Sequence, residues 1–350
     1  MSETTTPERM RVSVLRGVQD LIIEERPVPH PGSGEVLVRV GSVGVCGSDV
    51  HYYKHGRIAD FVVRDPLVLG HEAGGQIVAV GEGVSADRVG ERVALEPGVP
   101  CRHCEHCLGG RYNLCRDLRF FATPPFDGAF CEYVVIDADF AHPVPDALSD
   151  DAAGLIEPLS VAVWANQKAH IGAGSSVLVA GAGPIGLLVA QVAAALAAAR
   201  IVVSDVDPFR RELASRYGAT EVIDPTDGKG TVGGEVDAFI DCSGAPAAIQ
   251  SGVRTVRPGG TAVLVGMGSD DFPLPVSYLQ TREIELTGTF RYANTWPKAI
   301  ALAAGGRIDL DGLVTAHVDL DHVKDALAPE PGAQHVKIVV RPAGVDEGRS

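Results

Sequence analysis

Short apolar runs separated by Gly and Pro occupy the first half of the chain. Four of them, EVLVRVGSVGV, EAGGQIVAVG, GERVALEP and FCEYVVID, begin at Glu35, Glu72, Gly90 and Phe130. Valine-rich runs bounded by turn residues are typical of strands that are buried on one or both faces. The pattern therefore predicts an irregular β-domain.

From about Ile171 the pattern changes to strands that alternate with helices. SVLVAG, beginning at Ser176, predicts a buried strand, Pro184 begins an Ala-rich helix, and RIVVSD, beginning at Arg200, predicts the next strand. PFRRELASRYG and PAAIQSGVRTVRPGG then predict helices, and VDAFIDCSG and TAVLVGM predict strands. This alternation predicts an α/β domain with an open, doubly wound parallel sheet.

The last part of the chain returns to a mixed pattern. WPKAIALAAGG predicts a helix, and HVKIVVRP predicts an edge strand that rejoins the first domain. A chain of 350 residues exceeds the usual size of one hydrophobic core. We therefore expect an irregular β-domain at residues 1–160, an α/β domain at 161–294 and a returning segment at 295–350.

The charge of the chain restricts its partners and location. It has 45 acidic and 30 Lys and Arg residues, a formal net charge of −15, which disfavours nucleic acid and anionic membranes. The start lacks a basic segment followed by an apolar one, and the run GLLVAQVAAALAAA is too short to span a bilayer. We expect a cytoplasmic protein with a small-molecule substrate.

The sequence GAGPIG at residues 181–186 has the G-x-G-x-x-G spacing of a dinucleotide-binding turn between a strand and a helix. Asp205 ends the next predicted strand, where a carboxylate accepts ribose hydroxyls and repels a 2′-phosphate. The carboxylate therefore favours NAD over NADP. The alternative interpretation is that the glycines form a purely structural turn that binds no dinucleotide. The candidate cofactor-binding residues are Gly181, Gly183, Pro184, Ile185, Gly186, Asp205 and Arg210.

Four of the seven cysteines lie in CRHCEHCLGGRYNLC. Cys101, Cys104, Cys107 and Cys115 have the spacing of a structural zinc site, in which four thiolates leave no position for substrate. Reactive or redox cysteines are the alternative, and His103 or His106 could replace one ligand. We interpret both histidines as solvated loop residues.

A second group of metal-binding residue types is scattered along the chain. Cys46 lies in GVCGSDVHYY, His71 and Glu72 lie in LGHEAGG, and Glu157 lies in LIEPLSV. One thiolate, one imidazole and one carboxylate would leave a position open, as catalytic zinc requires. Taken singly, a small buried cysteine, a loop histidine and salt-bridged glutamates explain the same residues equally well.

The motifs together resemble the zinc-dependent medium-chain dehydrogenase/reductase superfamily, in particular its sorbitol and xylitol (polyol) dehydrogenases. The resemblance is carried by the GHE signature, the four-cysteine loop, GLIEPLSVAVWA, VLVAGAGPIGLL and GTFRYANTWP, and it extends from about Glu35 to Ile338. It implies a GroES-like catalytic domain, a Rossmann domain, an active-site cleft between them, two zinc ions, NAD, and assembly into dimers or tetramers.

The resemblance also implies roles for individual residues. Cys46 and His71 match zinc ligands, and Glu72 and Glu157 match two glutamates that share the remaining position directly or through water. Tyr52, Arg291 and Tyr292 match positions that line a polyol pocket.

Oxidation of an alcohol requires removal of the hydroxyl proton, and Ser48 and His51 are candidates to relay it to solvent. His51 could instead make a structural hydrogen bond, with the proton leaving through water and Glu157. A threonine-type or secondary alcohol dehydrogenase on the same scaffold is the alternative activity. A protein that binds NAD(H) and acts as a regulator without catalysis is a further alternative.

Overall fold

The computed structural model describes residues 6–227, 232–268, 271–330 and 332–344. The chain divides into two compact units, one formed by Met1–Glu157 with Leu310–Ser350 and the other by Pro158–Asp309. The helix Trp296–Ala304 belongs to the second unit. This unit therefore extends past the boundary predicted at residue 294.

The first unit is built on a seven-stranded, mostly antiparallel sheet. Its strands run in the order Ala141–Pro143, Arg92–Leu95, Glu72–Val80, Glu35–Gly44, Lys337–Val340 and Val314–Val318, and Tyr133–Asp137 also pairs with Glu35–Gly44. Smaller sheets comprise Asp20–Pro27, Arg9–Gly17 and Leu67–Val68; Arg119–Phe120 and Gly98–Val99; and Arg57–Ile58 and Phe61–Val62. The α-helices of this unit are Gly47–His55, Glu105–Leu108, Asp150–Gly154 and Val323–Leu327.

The strand Lys337–Val340 returns to the first unit as predicted, but it is not an edge strand. It pairs antiparallel with Glu35–Gly44 on one side and parallel with Val314–Val318 on the other. All four of its residues are buried. The prediction was wrong because the neighbouring run LVTAHVDL supplies the outer strand.

The second unit has a six-stranded parallel sheet. The strand order is Glu221–Ile223, Arg200–Ser204, Ser176–Ala180, Val236–Asp241, Val256–Leu264 and Glu285–Gly288. In order of position along the chain this is 3-2-1-4-5-6, the arrangement of dinucleotide-binding sheets. Its helices are Pro184–Ala195, Pro208–Arg216, Pro246–Val253, Val276–Thr281 and Trp296–Ala304, and Ile156–Lys168 leads into the unit. The predicted α/β fold class with an irregular β-domain and a parallel sheet is confirmed.

One predicted helix is too long. PAAIQSGVRTVRPGG contains the helix Pro246–Val253, but Val256 already begins a strand and pairs with Val236. The gain from completing the parallel ladder therefore outweighs the helical pattern of this segment. Within the described ranges, no helix combines the length and apolar character needed to cross a membrane.

Candidate active site

Cys46 precedes the helix Gly47–His55 and is positioned by Asp49. The Cys46 backbone N–H donates to Asp49 Oδ2 at 2.9 Å, and the Gly70 N–H donates to Asp49 Oδ1 at the same distance. Asp49 is fully buried, and its Oδ1 lies 3.7 Å from His71 Nδ1. One buried carboxylate therefore connects the segment that carries Cys46 to the segment that carries His71.

His71 and Glu72 lie where a loop enters the central sheet. His71 packs against Phe120, with ring centroids 5.7 Å apart, and Glu72 begins the strand Glu72–Val80. Potential ligand atoms of Cys46, His71 and Glu72 all lie within 4.8 Å of one another. The structure thus brings together three of the residues that the sequence identified as candidate zinc ligands.

The electrostatics of this cluster favour a positive charge. Burial opposes protonation of His71, but the Cys46 thiolate and the Asp49 carboxylate outweigh it and raise the pKa of His71 well above its ordinary value. Thiolate, imidazole and carboxylate are also the donor types that zinc uses. The residues therefore fit a zinc ion by both charge and chemistry.

Lys337 is a fourth charged residue at the cluster, and sequence reasoning missed it. Its Nζ donates to both carboxylate oxygens of Glu72 at 2.8 Å and to the Val45 carbonyl at 3.0 Å. Burial opposes its charge, but Glu72, Cys46 and Glu157 raise the pKa of Lys337 above its ordinary value. Lys337 therefore remains an ammonium ion. The lysine within the apolar run HVKIVVRP was the sequence feature that could have indicated a buried ion pair.

Four other residues that the sequence identified as candidate site residues also belong to the first unit. Glu157 is 4% exposed in the first turn of Ile156–Lys168, outside the three-residue group, and its charge acts on Lys337. Ser48 is half-buried, His51 is exposed with Nδ1 3.1 Å from the Arg57 carbonyl oxygen, and Tyr52 is buried in the core of the first unit.

The four-cysteine loop forms a second candidate metal centre. Ligand atoms of Cys101, Cys104, Cys107 and Cys115 lie within 4.8 Å of one another, and all four are free thiols. The Cys101 and Cys104 sulfurs are 3.8 and 3.4 Å from Cys107 Sγ, too far for disulfides. The Cys107 backbone and the other three thiols together lower the pKa of Cys104 to about 6 by hydrogen bonding. Four converging sulfurs fit a tetrahedral structural zinc ion.

The two histidines of this loop lie outside the group of four sulfurs. His103 is exposed, with Nδ1 2.7 Å from the Cys101 carbonyl oxygen, and it forms a separate group with Cys101 and Asp117. The His106 imidazole lies 3.8 Å from Glu105.

A buried glutamate anchors the four-cysteine loop to the sheet. The Tyr112 hydroxyl donates to Glu96 Oε1 at 2.6 Å, and His142 Nε2 lies 2.7 Å from Glu96 Oε2. Glu96 is 3% exposed and comes directly after the strand Arg92–Leu95. Sequence reasoning missed this contact because the three residues are distant in sequence and share no motif.

The glycine-rich turn of the second unit has the backbone that its spacing predicts. Gly181 has φ of 93°, and a Cβ at Gly186 would lie 1.8 Å from the Gly181 carbonyl oxygen. Gly183 precedes the helix Pro184–Ala195, and a Cβ there would meet no atom within 4 Å. The turn is thus tight at two glycines and open at the third, beside a helix N-terminus that favours a pyrophosphate.

Asp205 lies beside this turn. Its Oδ2 accepts a hydrogen bond from the Ala182 N–H at 2.7 Å, and its Oδ1 accepts one from the Asp207 N–H at 2.9 Å. A carboxylate has further lone pairs for ribose hydroxyls. Val206 is 64% exposed, and the side chain of Arg210 is half exposed with Nε 4.0 Å from Asp207. The residues fit an adenosine ribose that lacks a 2′-phosphate.

Arg291 and Tyr292 also belong to the second unit. Arg291 has φ of 55°, and its guanidinium lies over the Phe290 ring at 4.7 Å. Tyr292 is buried and packs edge-on against Trp296 at 5.9 Å. Their roles toward substrate stay predictions.

Comparison with known proteins identifies the family. Residues 32–146 match the alcohol dehydrogenase GroES-like domain, and residues 184–305 match the zinc-binding dehydrogenase family. The chain is 44% identical to sorbitol dehydrogenase of Bacillus subtilis over 331 residues, which cover 92% of this chain and 94% of the relative. The chain belongs to the zinc-dependent medium-chain dehydrogenase/reductase superfamily, in its polyol branch.

Two further relatives agree with this membership. The dehydrogenase is 39% identical to probable D-xylulose reductase A of Neosartorya fischeri, with 99% of this chain and 100% of the relative covered. The crystal structure of L-idonate 5-dehydrogenase from Escherichia coli superimposes with a TM-score of 0.90 at 30% identity, covering 95% and 98% of the two chains. The predictions of an oxidoreductase and of this family are confirmed.

Proposed function

We propose that this dehydrogenase oxidises the secondary C2 hydroxyl of an acyclic polyol such as sorbitol or xylitol to the ketose, with NAD as hydride acceptor. In the balanced reaction, a CHOH group and NAD⁺ give a C=O group, NADH and one proton. The carrying observation is the convergence of half-buried Cys46 with buried His71 and Glu72, whose potential ligand atoms lie within 4.8 Å of one another. The sorbitol and xylulose specificities named for the relatives support the substrate class.

The residues of the first unit would hold a catalytic zinc ion. Cys46, His71 and Glu72 supply one donor each, and Asp49 fixes the backbone on both sides of the cluster. When bound, zinc supplies Lewis acidity, which lowers the pKa of a hydroxyl or water oxygen. Glu157 would accept a hydrogen bond from water or substrate, and Ser48 and His51 would pass the proton to solvent.

The residues of the second unit would hold the nicotinamide cofactor. The open space at Gly183 and the N-terminus of Pro184–Ala195 suit the pyrophosphate, and Asp205 suits the ribose hydroxyls. When bound, NAD would supply the hydride acceptor, which is chemistry of the nicotinamide ring itself. Arg291 and Tyr292 are proposed to contact the substrate hydroxyls, a role that the resemblance implies.

The four-cysteine loop would hold a second, structural zinc ion. Its four ligands leave no position for substrate, so we assign it to stability alone. Metal analysis should therefore find two zinc ions per chain.

The substrate proposal is tested by NAD reduction with sorbitol, xylitol, 2,3-butanediol, 2-propanol and threonine. A site that hydrogen-bonds several hydroxyls rejects analogues that lack them, because its buried polar groups are left unpaired. We expect kcat/KM to be far higher for the polyols. Fast oxidation of threonine or 2-propanol without polyol activity would refute the proposal and favour the alternative activity.

A further inference from the structure

The ion pair between Glu72 and Lys337 is built into the centre of the first unit. Glu72 lies opposite Gly44 in one strand pair, and Val339 lies opposite Gly44 in the pair on the other side. The two charged side chains therefore come from strands that flank Gly44. A Cβ at Gly44 would lie 2.1 Å from Glu72 Oε2, so the missing side chain provides the space in which the pair forms.

Lys337 contacts the whole Glu72 carboxylate rather than one oxygen. Its Nζ is 2.8 Å from Oε1 and from Oε2, and both side chains are almost completely buried, with 4% and 1% exposure. Each carboxylate oxygen has a second lone pair, so Glu72 can still donate to a metal ion while it accepts from the ammonium. A carboxylate shared in this way is a weaker metal ligand than a free one.

We propose that Lys337 is a positioning residue that keeps Glu72 an exchangeable ligand of the catalytic metal. By holding both oxygens, the ammonium prevents Glu72 from closing onto the ion with its full charge. Its own positive charge also opposes tight retention of a divalent cation. The coordination position that substrate needs therefore stays available. This inference rests on the proposed zinc site at Cys46, His71 and Glu72.

The test is the rate of zinc release to an excess of a coloured chelator, measured on the full-length protein. In Lys337→Met the freed Glu72 carboxylate should bind the ion more strongly. We expect release of the catalytic zinc to slow by roughly tenfold or more, which corresponds to about 1.4 kcal/mol. The kcat for polyol oxidation should fall, while Lys337→Arg should restore release and kcat toward the parent values.

Two controls assign the effect. The Cys46→Ser variant should release zinc only from the four-cysteine site, so its time course defines the release rate of that site. The Lys337→Met substitution should leave this rate unchanged. Lys324→Met removes an exposed lysine of the same unit, and it should change zinc release from neither the catalytic site nor the four-cysteine site. If Lys337→Met is too unstable to purify, Lys337→Gln removes the charge while it keeps a hydrogen-bond donor, and the same slow release is expected.

A purely structural lysine would give the opposite sign, because a loosened site loses its metal faster. Equal or faster release of the catalytic zinc from a folded Lys337→Met or Lys337→Gln variant would overturn the inference. If the parent held zinc only in the four-cysteine loop, this inference and the proposed zinc site would both fail. If it released two zinc ions as expected but oxidised no polyol, only the proposed substrate would fail.

Discussion

Gly44→Ala is the substitution whose effect the structure defines most sharply. The new Cβ would lie 2.1 Å from Glu72 Oε2 and 2.9 Å from Leu155 Cδ2. Nonbonded carbon and oxygen atoms do not approach this closely. The Glu72 carboxylate or the strand Glu35–Gly44 must therefore move by more than an ångström. Either movement separates the carboxylate from Lys337, whose two bonds to it are both 2.8 Å long.

The expected cost combines overpacking with damage to a buried ion pair. Overpacking a core costs about 1–3 kcal/mol, and removing one partner of a buried pair costs about 3–5 kcal/mol. Because the pair is displaced rather than deleted, we expect a loss of about 2–4 kcal/mol. At about 2–4 °C per kcal/mol for a unit of this size, Tm should fall by roughly 5–15 °C.

Thermal unfolding of the zinc-loaded protein measures this loss, and metal analysis of the same sample reports the catalytic site. Gly17→Ala is the matched control, because a Cβ at Gly17 meets no atom within 4 Å and its φ is not left-handed. The control should keep Tm within about 1–2 °C. A Gly44→Ala protein with the parent Tm and zinc content would refute the packing argument.

Three further predictions concern other parts of the molecule. The Cys115→Ser variant should contain one zinc ion fewer and have a lower Tm, while the molecules that remain folded keep the parent KM for polyol. An unchanged zinc content would contradict the assignment of a structural zinc site. Asp205→Ala should narrow the preference for NAD over NADP in kcat/KM, because the carboxylate beside Val206 no longer repels a 2′-phosphate; an unchanged ratio would remove Asp205 from cofactor selection. Tyr112→Phe leaves buried Glu96 without its 2.6 Å partner, so unfolding should be easier by about 1.5–3 kcal/mol at unchanged kcat, and an unaltered Tm would show that the loop is anchored elsewhere.

Features that depend on one continuous stretch of sequence could be predicted from the sequence alone. The strand, glycine turn, Pro184 helix and Asp205 of the second unit are recognisable because they occupy a single βαβ segment. The four cysteines likewise share one loop, so their spacing alone indicates that the sulfurs can converge.

Contacts between distant strands could not be predicted in the same way. Lys337 meets Glu72 only because the last strand enters the sheet beside Glu35–Gly44, and HVKIVVRP does not reveal whether a strand is at an edge or internal. Glu96 and Tyr112 meet across a loop for the same reason. Asp49 was present in the quoted motif, but its role depends on the Gly70 N–H, which only the fold brings to it.

Zinc content and turnover of Cys46→Ser, measured beside the parent protein, test the central claim most directly. Cys46 lies at the start of a helix, and serine preserves its size, so the fold and the four-cysteine metal should persist. We expect two zinc ions per chain and NAD-dependent polyol oxidation in the parent, against one zinc ion and no measurable oxidation in the variant. A Cys46→Ser protein that keeps near-normal kcat, or that keeps both zinc ions, would contradict the assignment of Cys46, His71 and Glu72 as the catalytic metal site.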